Sequence, residues 1–93
     1  MSLTLRVLSG ARAGDEQVLE KSIVALGRHP MCDFRFDAER DRDVSTRHAE
    51  IRAQGDGYVL RDLGSTNGTW VDGVRLAAEQ ALRAGQTISF GEY

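Results

Sequence analysis

Short runs in which every second residue is apolar, separated by glycine-containing turns, limit most strongly how this chain can fold. In the first run, Leu3 and Leu5 alternate with polar residues, which is typical of a strand with one buried face. The glycine-rich segment 54–57 and the pair Asp72-Gly73 each separate two such runs, and both predict β-hairpins. No segment combines helix-capping residues with an apolar period of 3.6, so we expect no long helix.

The same alternation predicts strands along the whole chain, at residues 3–7, 15–19, 23–26, 32–36, 49–52, 58–61, 69–71, 74–76 and 86–90. Segment 77–84 has a helix-favouring composition, but it is short and Gly85 follows it, so we interpret it as a turn or a single helical turn. Many short strands joined by turns are typical of an all-β protein with an antiparallel β-sandwich.

Size and charge narrow the functions that are open to the chain. Its 93 residues make one domain at most, and its net charge of -2 gives no basis for bulk attraction to nucleic acid or anionic lipid. No apolar stretch is long enough to insert into a membrane, and the N-terminus lacks the features of a signal peptide. The single cysteine, Cys32, excludes an intramolecular disulfide and fits a reducing compartment, so we predict a cytoplasmic protein.

Three separate segments carry guanidinium, hydroxyl and amide groups. Arg28 follows Gly27 at the end of a predicted strand, Ser45 opens the segment Ser-Thr-Arg-His, and residues 64–69 read Gly-Ser-Thr-Asn-Gly-Thr. The arginine fork fits two phosphate oxygens at once, and hydroxyl and amide groups add donors at close range. We therefore expect Arg28 to bind phosphate, and Ser45 to contribute its hydroxyl and its backbone N–H.

Each segment also has an ordinary structural explanation. Arg28 could pair with an acidic neighbour such as Asp33. Ser45 could bond to its own backbone in a turn, and Asn67-Gly68 is a common turn pair. The combination of the three segments is what favours phosphate binding.

Other chemistries fit less well. Ser45 and His48 could be the nucleophile and base of a small hydrolase, but neither an orienting acid nor a nucleophile elbow accompanies them. His29 and Cys32 would be two metal ligands without a second cluster, so we expect no metal and no cofactor. Segment 64–69 lacks the Gly-Lys-Ser/Thr ending of a nucleotide-binding P-loop.

In order and spacing, these segments resemble the forkhead-associated (FHA) domain family. The resemblance is carried by Gly27-Arg28, Ser45-x-x-His48 and Asn67-Gly68-Thr69, and it extends from the first strand through Phe90. It implies one domain over residues 1–93, folded as an FHA sandwich of ten to eleven short strands. It also implies a phosphothreonine-binding module and not an enzyme.

The resemblance assigns roles to particular residues. The phosphopeptide-binding residues would be Arg28, Ser45, Thr46, Thr66 and Asn67, and the supporting residues would be Gly27, His48 and Gly68. Thr66 would support the phosphothreonine, Asn67 would bond to the peptide backbone, and His48 would brace the binding loop. Thr46 departs from the basic residue that is common at its position, which leaves Arg28 as the main positive charge. We expect Arg28→Ala to abolish binding while the fold stays intact.

FHA sandwiches usually close with a further strand after a Gly-x-x-Ile-x-Phe-Gly pattern, which is here residues 85–91, and the chain stops at Tyr93. We expect either that the final strand is missing or that the chain was cut from a longer protein. The strand at residues 3–7 would then have an unpaired edge, which predicts a homodimer through that edge.

The implied partners are a phosphothreonine-containing protein or peptide and, upstream of it, a Ser/Thr protein kinase of a bacterial signalling pathway. The alternative is a structural FHA-like domain of a larger complex, such as a secretion apparatus, that does not read phosphate. Relatives of that kind tend to lose the arginine and the serine of the site, and both are present here as Arg28 and Ser45.

Overall fold

The computed structural model describes residues 2–90, and these form ten strands and no helix. The strands are β1 (Leu3–Arg6), β2 (Glu16–Leu19), β3 (Ile23–Gly27), β4 (Phe34–Arg35), β5 (Ala49–Gln54), β6 (Gly57–Asp62), β7 (Thr69–Val71), β8 (Val74–Arg75), β9 (Gln80–Leu82) and β10 (Ile88–Phe90). The all-β prediction is confirmed, and each predicted strand has a counterpart. Within the described range, no helix has the length and apolarity that crossing a membrane would require.

The prediction for residues 77–84 is wrong. This segment contains β9, which pairs antiparallel with β6 so that Leu82 lies opposite Tyr58. Leu82 and Tyr58 are both partly buried and pack against the core. Burial against a neighbouring strand therefore outweighs the local helix preference of the alanines around it.

The strands form three sheets. One has five strands in the order β4-β3-β5-β6-β9, another has three in the order β10-β7-β8, and β1 pairs with β2. All neighbours are antiparallel except β3 and β4, which run parallel with Leu26 opposite Phe34. The apolar core lies between the sheets of this sandwich, and its buried members are Val7, Leu19, Val24, Leu26, Phe34, Ala49, Ile51, Leu60 and Val71.

An open groove of about 810 Å³ lies between β1 and β10. Leu5, Phe36, Ile88 and Phe90 line it, and all four are half-buried apolar residues at the margin of the core. Within residues 2–90 no strand occupies the groove. The further strand that the family resemblance implies lies outside the described residues.

One end of the five-stranded sheet gathers the segments that the sequence singles out. Ala49, the first residue of β5, lies opposite Leu26 of β3 and also opposite Asp62 of β6. The end of β3, the start of β5 and the end of β6 therefore meet at one edge. Three loops begin or end there: the Arg28 loop (residues 28–33), the Ser45 loop (residues 36–48) and the Thr66 loop (residues 63–68).

Candidate functional site

Gly27 lets the Arg28 loop lie directly against the Ser45 loop. A Cβ atom at Gly27 would lie 2.2 Å from the carbonyl oxygen of Thr46, which no side chain could tolerate. The N–H of Arg28 donates to the carbonyl of Ser45 at 3.3 Å, and the N–H of His29 donates to the carbonyl of Thr46 at 3.0 Å. The two loops therefore touch through their backbones, and a glycine is required at their contact.

Two backbone carbonyls of the Ser45 loop hold the side chain of Arg28. Its Nε donates to the carbonyl of Val44 at 2.5 Å, and its Nη1 donates to the carbonyl of Ala38 at 2.7 Å. These bonds fix the guanidinium in place and leave further N–H donors for an anion. The pairing with Asp33 does not form, because the Asp33 carboxylate instead accepts a bond from Nζ of Lys21 at 2.5 Å.

Ser45 joins its own loop to the Thr66 loop. Its Oγ accepts the backbone N–H of Thr66 at 3.1 Å, so the hydroxyl proton itself stays available to an anion. Its backbone N–H donates to Nδ1 of His48 at 2.9 Å. Here the structure differs from the sequence-based expectation, since this N–H is engaged with the imidazole. The hydroxyl is therefore the group that Ser45 can offer to a phosphate.

His48 is fully buried beneath the Ser45 and Thr66 loops and bonds to both. While Nδ1 accepts the N–H of Ser45, Nε2 donates to the carbonyl of Gly68 at 2.8 Å, which corresponds to a neutral ring with its proton on Nε2. Burial lowers the pKa of His48 below its ordinary value of 6.5, although the Gly68 carbonyl and the Asp62 carboxylate oppose this shift. Since Nδ1 bonds to the backbone of Ser45 and not to its hydroxyl, the pair has no nucleophile–base geometry.

The remaining predicted contact residues, Thr46, Thr66 and Asn67, are exposed at the surface. Asn67 is partly engaged within the domain, because its Nδ2 donates to the carbonyl of Asp43 at 3.0 Å. This bond is a second tie between the Thr66 and Ser45 loops, and it leaves Oδ1 of Asn67 free to accept a peptide N–H. Within residues 2–90 the hydroxyls of Thr46 and Thr66 have no hydrogen-bond partner.

Asp62, which is not among the residues predicted from sequence, organises the Thr66 loop. Its Oδ2 accepts the N–H groups of Gly64 and Ser65, both at 2.9 Å, and its Oδ1 accepts the hydroxyls of Ser65 at 2.5 Å and Thr69 at 2.6 Å. Burial favours the protonated carboxyl, but these bonds outweigh it and hold the pKa of Asp62 below its ordinary value. The recognisable signal is an aspartate two residues before Gly-Ser, since an Asx turn bonds the aspartate side chain to the N–H two residues on.

Gly68 closes the Thr66 loop with a positive φ of 87°. Its N–H donates to Oγ of Ser65 at 3.0 Å, and the guanidinium of Arg75 packs over it. A side chain here would need both the left-handed backbone and the space that Arg75 fills.

The two residues considered as metal ligands have other contacts. Nδ1 of His29 accepts the N–H of Met31 at 3.0 Å, and Sγ of Cys32 lies 3.6 Å from the carbonyl oxygen of Thr46. No group of three or more His, Cys, Asp or Glu side chains in the described part of the chain could hold a metal ion. His29 and Cys32 therefore stabilise the Arg28 loop.

The sandwich and the order of its three loops match a known family of domains. A family model described as FHA domain matches residues 24–91. The chain belongs to the FHA domain family. The matched range contains every residue of the three loops described above.

Two curated relatives carry this FHA domain within longer chains. An oxoglutarate dehydrogenase inhibitor of Corynebacterium jeikeium is 45% identical over 71 residues, which are 76% of this chain and 47% of that protein. The glycogen accumulation regulator GarA of Mycobacterium tuberculosis is 37% identical over 93 residues, which are 99% of this chain and 54% of that protein. The chain thus spans about half the length of these relatives.

A solved FHA structure matches the fold over almost the whole chain. It is described as a structural and functional analysis of phosphothreonine-dependent FHA domain interactions, and it superimposes with a TM-score of 0.83 at 36% sequence identity. The match covers 98% of this chain and 88% of the other. It supports the FHA sandwich independently of the family model.

Proposed function

We propose that Arg28, Ser45 and Thr66 form the phosphate site of this phosphothreonine-binding FHA domain, which is a signalling module and not an enzyme. The observation that carries the proposal is the bond from the N–H of Thr66 to Oγ of Ser45 at 3.1 Å. It places the Thr66 loop beside a serine hydroxyl whose proton is free. The adjoining backbone bond from Arg28 to the Ser45 carbonyl brings the guanidinium loop to the same edge.

The chemistry of these groups suits a phosphothreonine. Its phosphate carries close to two negative charges and strong acceptor oxygens at neutral pH. Each hydrogen bond to such a charged group contributes about 1.5–3 kcal/mol. Three such bonds contribute about 4.5–9 kcal/mol before the cost of association is subtracted. Micromolar binding, about -8 kcal/mol, therefore also needs the contacts of the peptide around the phosphothreonine. An unphosphorylated threonine would leave the donors unpaired and should bind very weakly.

Pre-organisation strengthens this site. The guanidinium of Arg28 is already fixed by two carbonyls, so little side-chain freedom is lost when a phosphate binds. His48 and Asp62 hold the Ser45 and Thr66 loops from within the domain. We assign His48, Gly27 and Gly68 to the support of the site.

The peptide around the phosphothreonine would lie over the exposed residues Thr46 and Asn67. The free Oδ1 of Asn67 is suited to accept a backbone N–H of an extended peptide. Thr46 adds an uncharged hydroxyl that can donate or accept a hydrogen bond. In this arrangement Arg28 supplies the charge, and the exposed loop residues select the peptide.

The partners of the whole protein are also part of the proposal. A Ser/Thr protein kinase would generate the phosphothreonine, and a cytoplasmic location would give access to it. Two relatives are named for inhibition of oxoglutarate dehydrogenase and for regulation of glycogen accumulation. We propose a comparable regulatory role in bacterial metabolism for the protein that contains this domain.

A homodimer through β1 stays a prediction. Among the described strands β1 pairs only with β2, so its other edge faces the open groove. Light scattering across a range of protein concentrations tests it, and a monomer at the highest concentration would contradict it.

The deciding experiment for the function is calorimetric titration with three peptides that differ only at one residue, which is phosphothreonine, phosphoserine or threonine. We expect binding of the phosphothreonine peptide that is lost in the Ser45→Ala and Arg28→Lys variants. Binding that persists in both variants would reject the proposed phosphate site. No binding of any peptide to the folded domain would instead favour a structural role in a larger assembly.

A further inference from the structure

Arg75 places an ordered guanidinium beside the Thr66 loop. On β8 it lies directly opposite Trp70 of β7, and its Cζ is 5.2 Å from the centroid of the indole ring. A guanidinium in this position over an aromatic face is held by a cation–π interaction. The same group lies 3.0 Å from the position that a Cβ atom of Gly68 would occupy. Arg75 is therefore fixed on two sides while its residue stays exposed.

The distance from Arg75 to the proposed phosphate site is short. Gly68 follows Thr66 by two residues, so their Cα atoms are at most about 7 Å apart. The Cβ position lies about 1.5 Å from Cα of Gly68 and 3.0 Å from the guanidinium. Arg75 therefore lies at most about 12 Å from Cα of Thr66, within reach of a peptide that crosses the Thr66 loop. An extended peptide advances about 3.3 Å per residue, so it covers this distance in roughly four residues.

The charge of Arg75 has no acidic partner within residues 2–90. Some other basic residues have one, since Arg6 pairs with Glu16 and Arg52 pairs with Glu50, whereas Arg47 of the Ser45 loop has none among the described residues. What distinguishes Arg75 from Arg47 is its ordered contact with Trp70. Arg28 is bonded to carbonyls, and the proposed function assigns it to the phosphate. Arg75 is thus an ordered and unneutralised cation next to the binding surface, and its planar fork matches the geometry of a carboxylate.

We propose that Arg75 is a specificity-determining residue that selects phosphopeptides with an aspartate or glutamate within about four positions of the phosphothreonine. The inference rests on the proposed function and deepens it by naming a peptide class. The carboxylate would bond to the guanidinium N–H groups that stay open to solvent. The cation–π contact with the indole already orders the guanidinium. An acidic residue of the peptide would therefore gain more free energy here than by pairing with a mobile surface arginine.

The test uses one phosphothreonine peptide in which aspartate, asparagine or lysine is placed in turn at each of the four positions on either side. Affinities are measured for the unaltered domain and for the Arg75→Gln and Arg75→Glu variants. Arg83→Gln is the matched control. Arg83 follows Leu82, and Leu82 pairs with Tyr58 near the start of β6, whereas Asp62 and the Thr66 loop lie at the other end of that strand. Trp70 is the single tryptophan, so its fluorescence gives a second and local readout.

At one or two positions we expect aspartate to bind about three- to tenfold more tightly than asparagine, as for one ordered charge pair. This preference should disappear in Arg75→Gln, persist in Arg83→Gln, and turn toward lysine in Arg75→Glu. The reversal is a gain of binding that a misfolded variant cannot produce. The Trp70 emission should shift with the aspartate peptide more than with the asparagine peptide.

Two results would separate the possible failures. Phosphothreonine-dependent binding without an acidic preference, or with a preference that survives in Arg75→Gln, overturns the role of Arg75 and leaves the proposed function standing. Failure of every phosphothreonine peptide to bind the folded, unaltered domain overturns the proposed function, and the role of Arg75 with it.

Discussion

The backbone N–H of Thr66 donates a hydrogen bond of 3.1 Å to Oγ of Ser45, a residue 21 positions earlier in the chain. The side chain of Asn67 adds a parallel tie to the carbonyl of Asp43, and His48 bonds to both loops from beneath. The Ser45 and Thr66 loops therefore behave as one surface, and a change in one of them should be felt in the other.

Ser45→Ala should weaken phosphopeptide binding about tenfold to a hundredfold, because it removes a donor to a charged phosphate. It should also lower the free energy of unfolding by about 1 kcal/mol, since the N–H of Thr66 loses its partner. Calorimetry and chemical denaturation measure the two effects. Ser9→Ala, in the exposed turn after β1, is the control, and faster amide exchange at Thr66 is expected only in the Ser45 variant.

Gly27→Ala should destabilise the domain by about 3 kcal/mol, because the added methyl group would meet the backbone of Thr46 and could not be relieved by a rotamer change. Gly57→Ala is the matched control, since a Cβ there would meet no atom within 4 Å. Thermal unfolding of both variants is the measurement. Equal melting temperatures would show that the Arg28 and Ser45 loops can separate without cost.

Asp62→Asn should lower the free energy of unfolding by about 2 kcal/mol. The new amide NH₂ would face N–H and O–H groups whose hydrogen bonds the carboxylate now accepts. The loosened Thr66 loop should reduce phosphopeptide affinity as well, although Asp62 need not touch the peptide. Asp56→Asn in the β5–β6 hairpin makes the same chemical change at an exposed site. If the two variants unfold at the same denaturant concentration, the central role of Asp62 is rejected.

Arg28→Ala should lower stability by about 2 kcal/mol in addition to abolishing binding, since its guanidinium holds the carbonyls of Val44 and Ala38. This differs from the expectation from sequence that the fold would be unaffected. Arg83→Ala, outside the three loops, provides the comparison in thermal unfolding. A melting temperature equal to that of the control would mean that the two carbonyl bonds add nothing to stability.

Stability should fall as the pH drops below 6.5 because of His48. Because burial lowers the pKa of His48 in the folded domain, the unfolded chain takes up this proton at a higher pH than the folded domain does. The contribution of His48 to stability is therefore complete above pH 6.5, and it is lost as the pH falls from there toward the lowered pKa of the folded state. The slope cannot exceed about 1.4 kcal/mol per pH unit for one group. NMR titration of the two histidines checks the cause, because His48 should titrate below 6.5. A constant free energy of unfolding between pH 7.5 and pH 5 would contradict it.

The alternation of apolar residues was sufficient to predict most strands, because a half-buried strand needs that period whatever its neighbours are. It failed for Gln80–Leu82, where composition favours a helix and only the pairing with β6 makes a strand. Local preference is weak compared with burial against a neighbour, and that neighbour is some twenty residues away in the sequence.

The residue types of the candidate site could be proposed from the sequence, but the bonds that hold them could not. Arg28, Ser45 and Thr66 stand out because their groups suit phosphate. The acceptors that hold Arg28 are backbone carbonyls, which every residue carries, so nothing in the sequence marks Val44 or Ala38. The engagement of the Ser45 N–H by His48 likewise depends on the path of the backbone between them.

His48, with 0% exposure, lies in the interior and bonds to the surface loops at the same time. The Ser45 and Thr66 loops therefore cannot separate without exposing His48 and the core to solvent. Binding of a peptide to these loops is thus linked to the equilibrium of global unfolding. A phosphopeptide at about 100 times its Kd would add about 2.7 kcal/mol to the free energy of unfolding. Under the proposed function, a bound phosphopeptide would thus reduce cleavage of this domain by proteases that attack the unfolded chain.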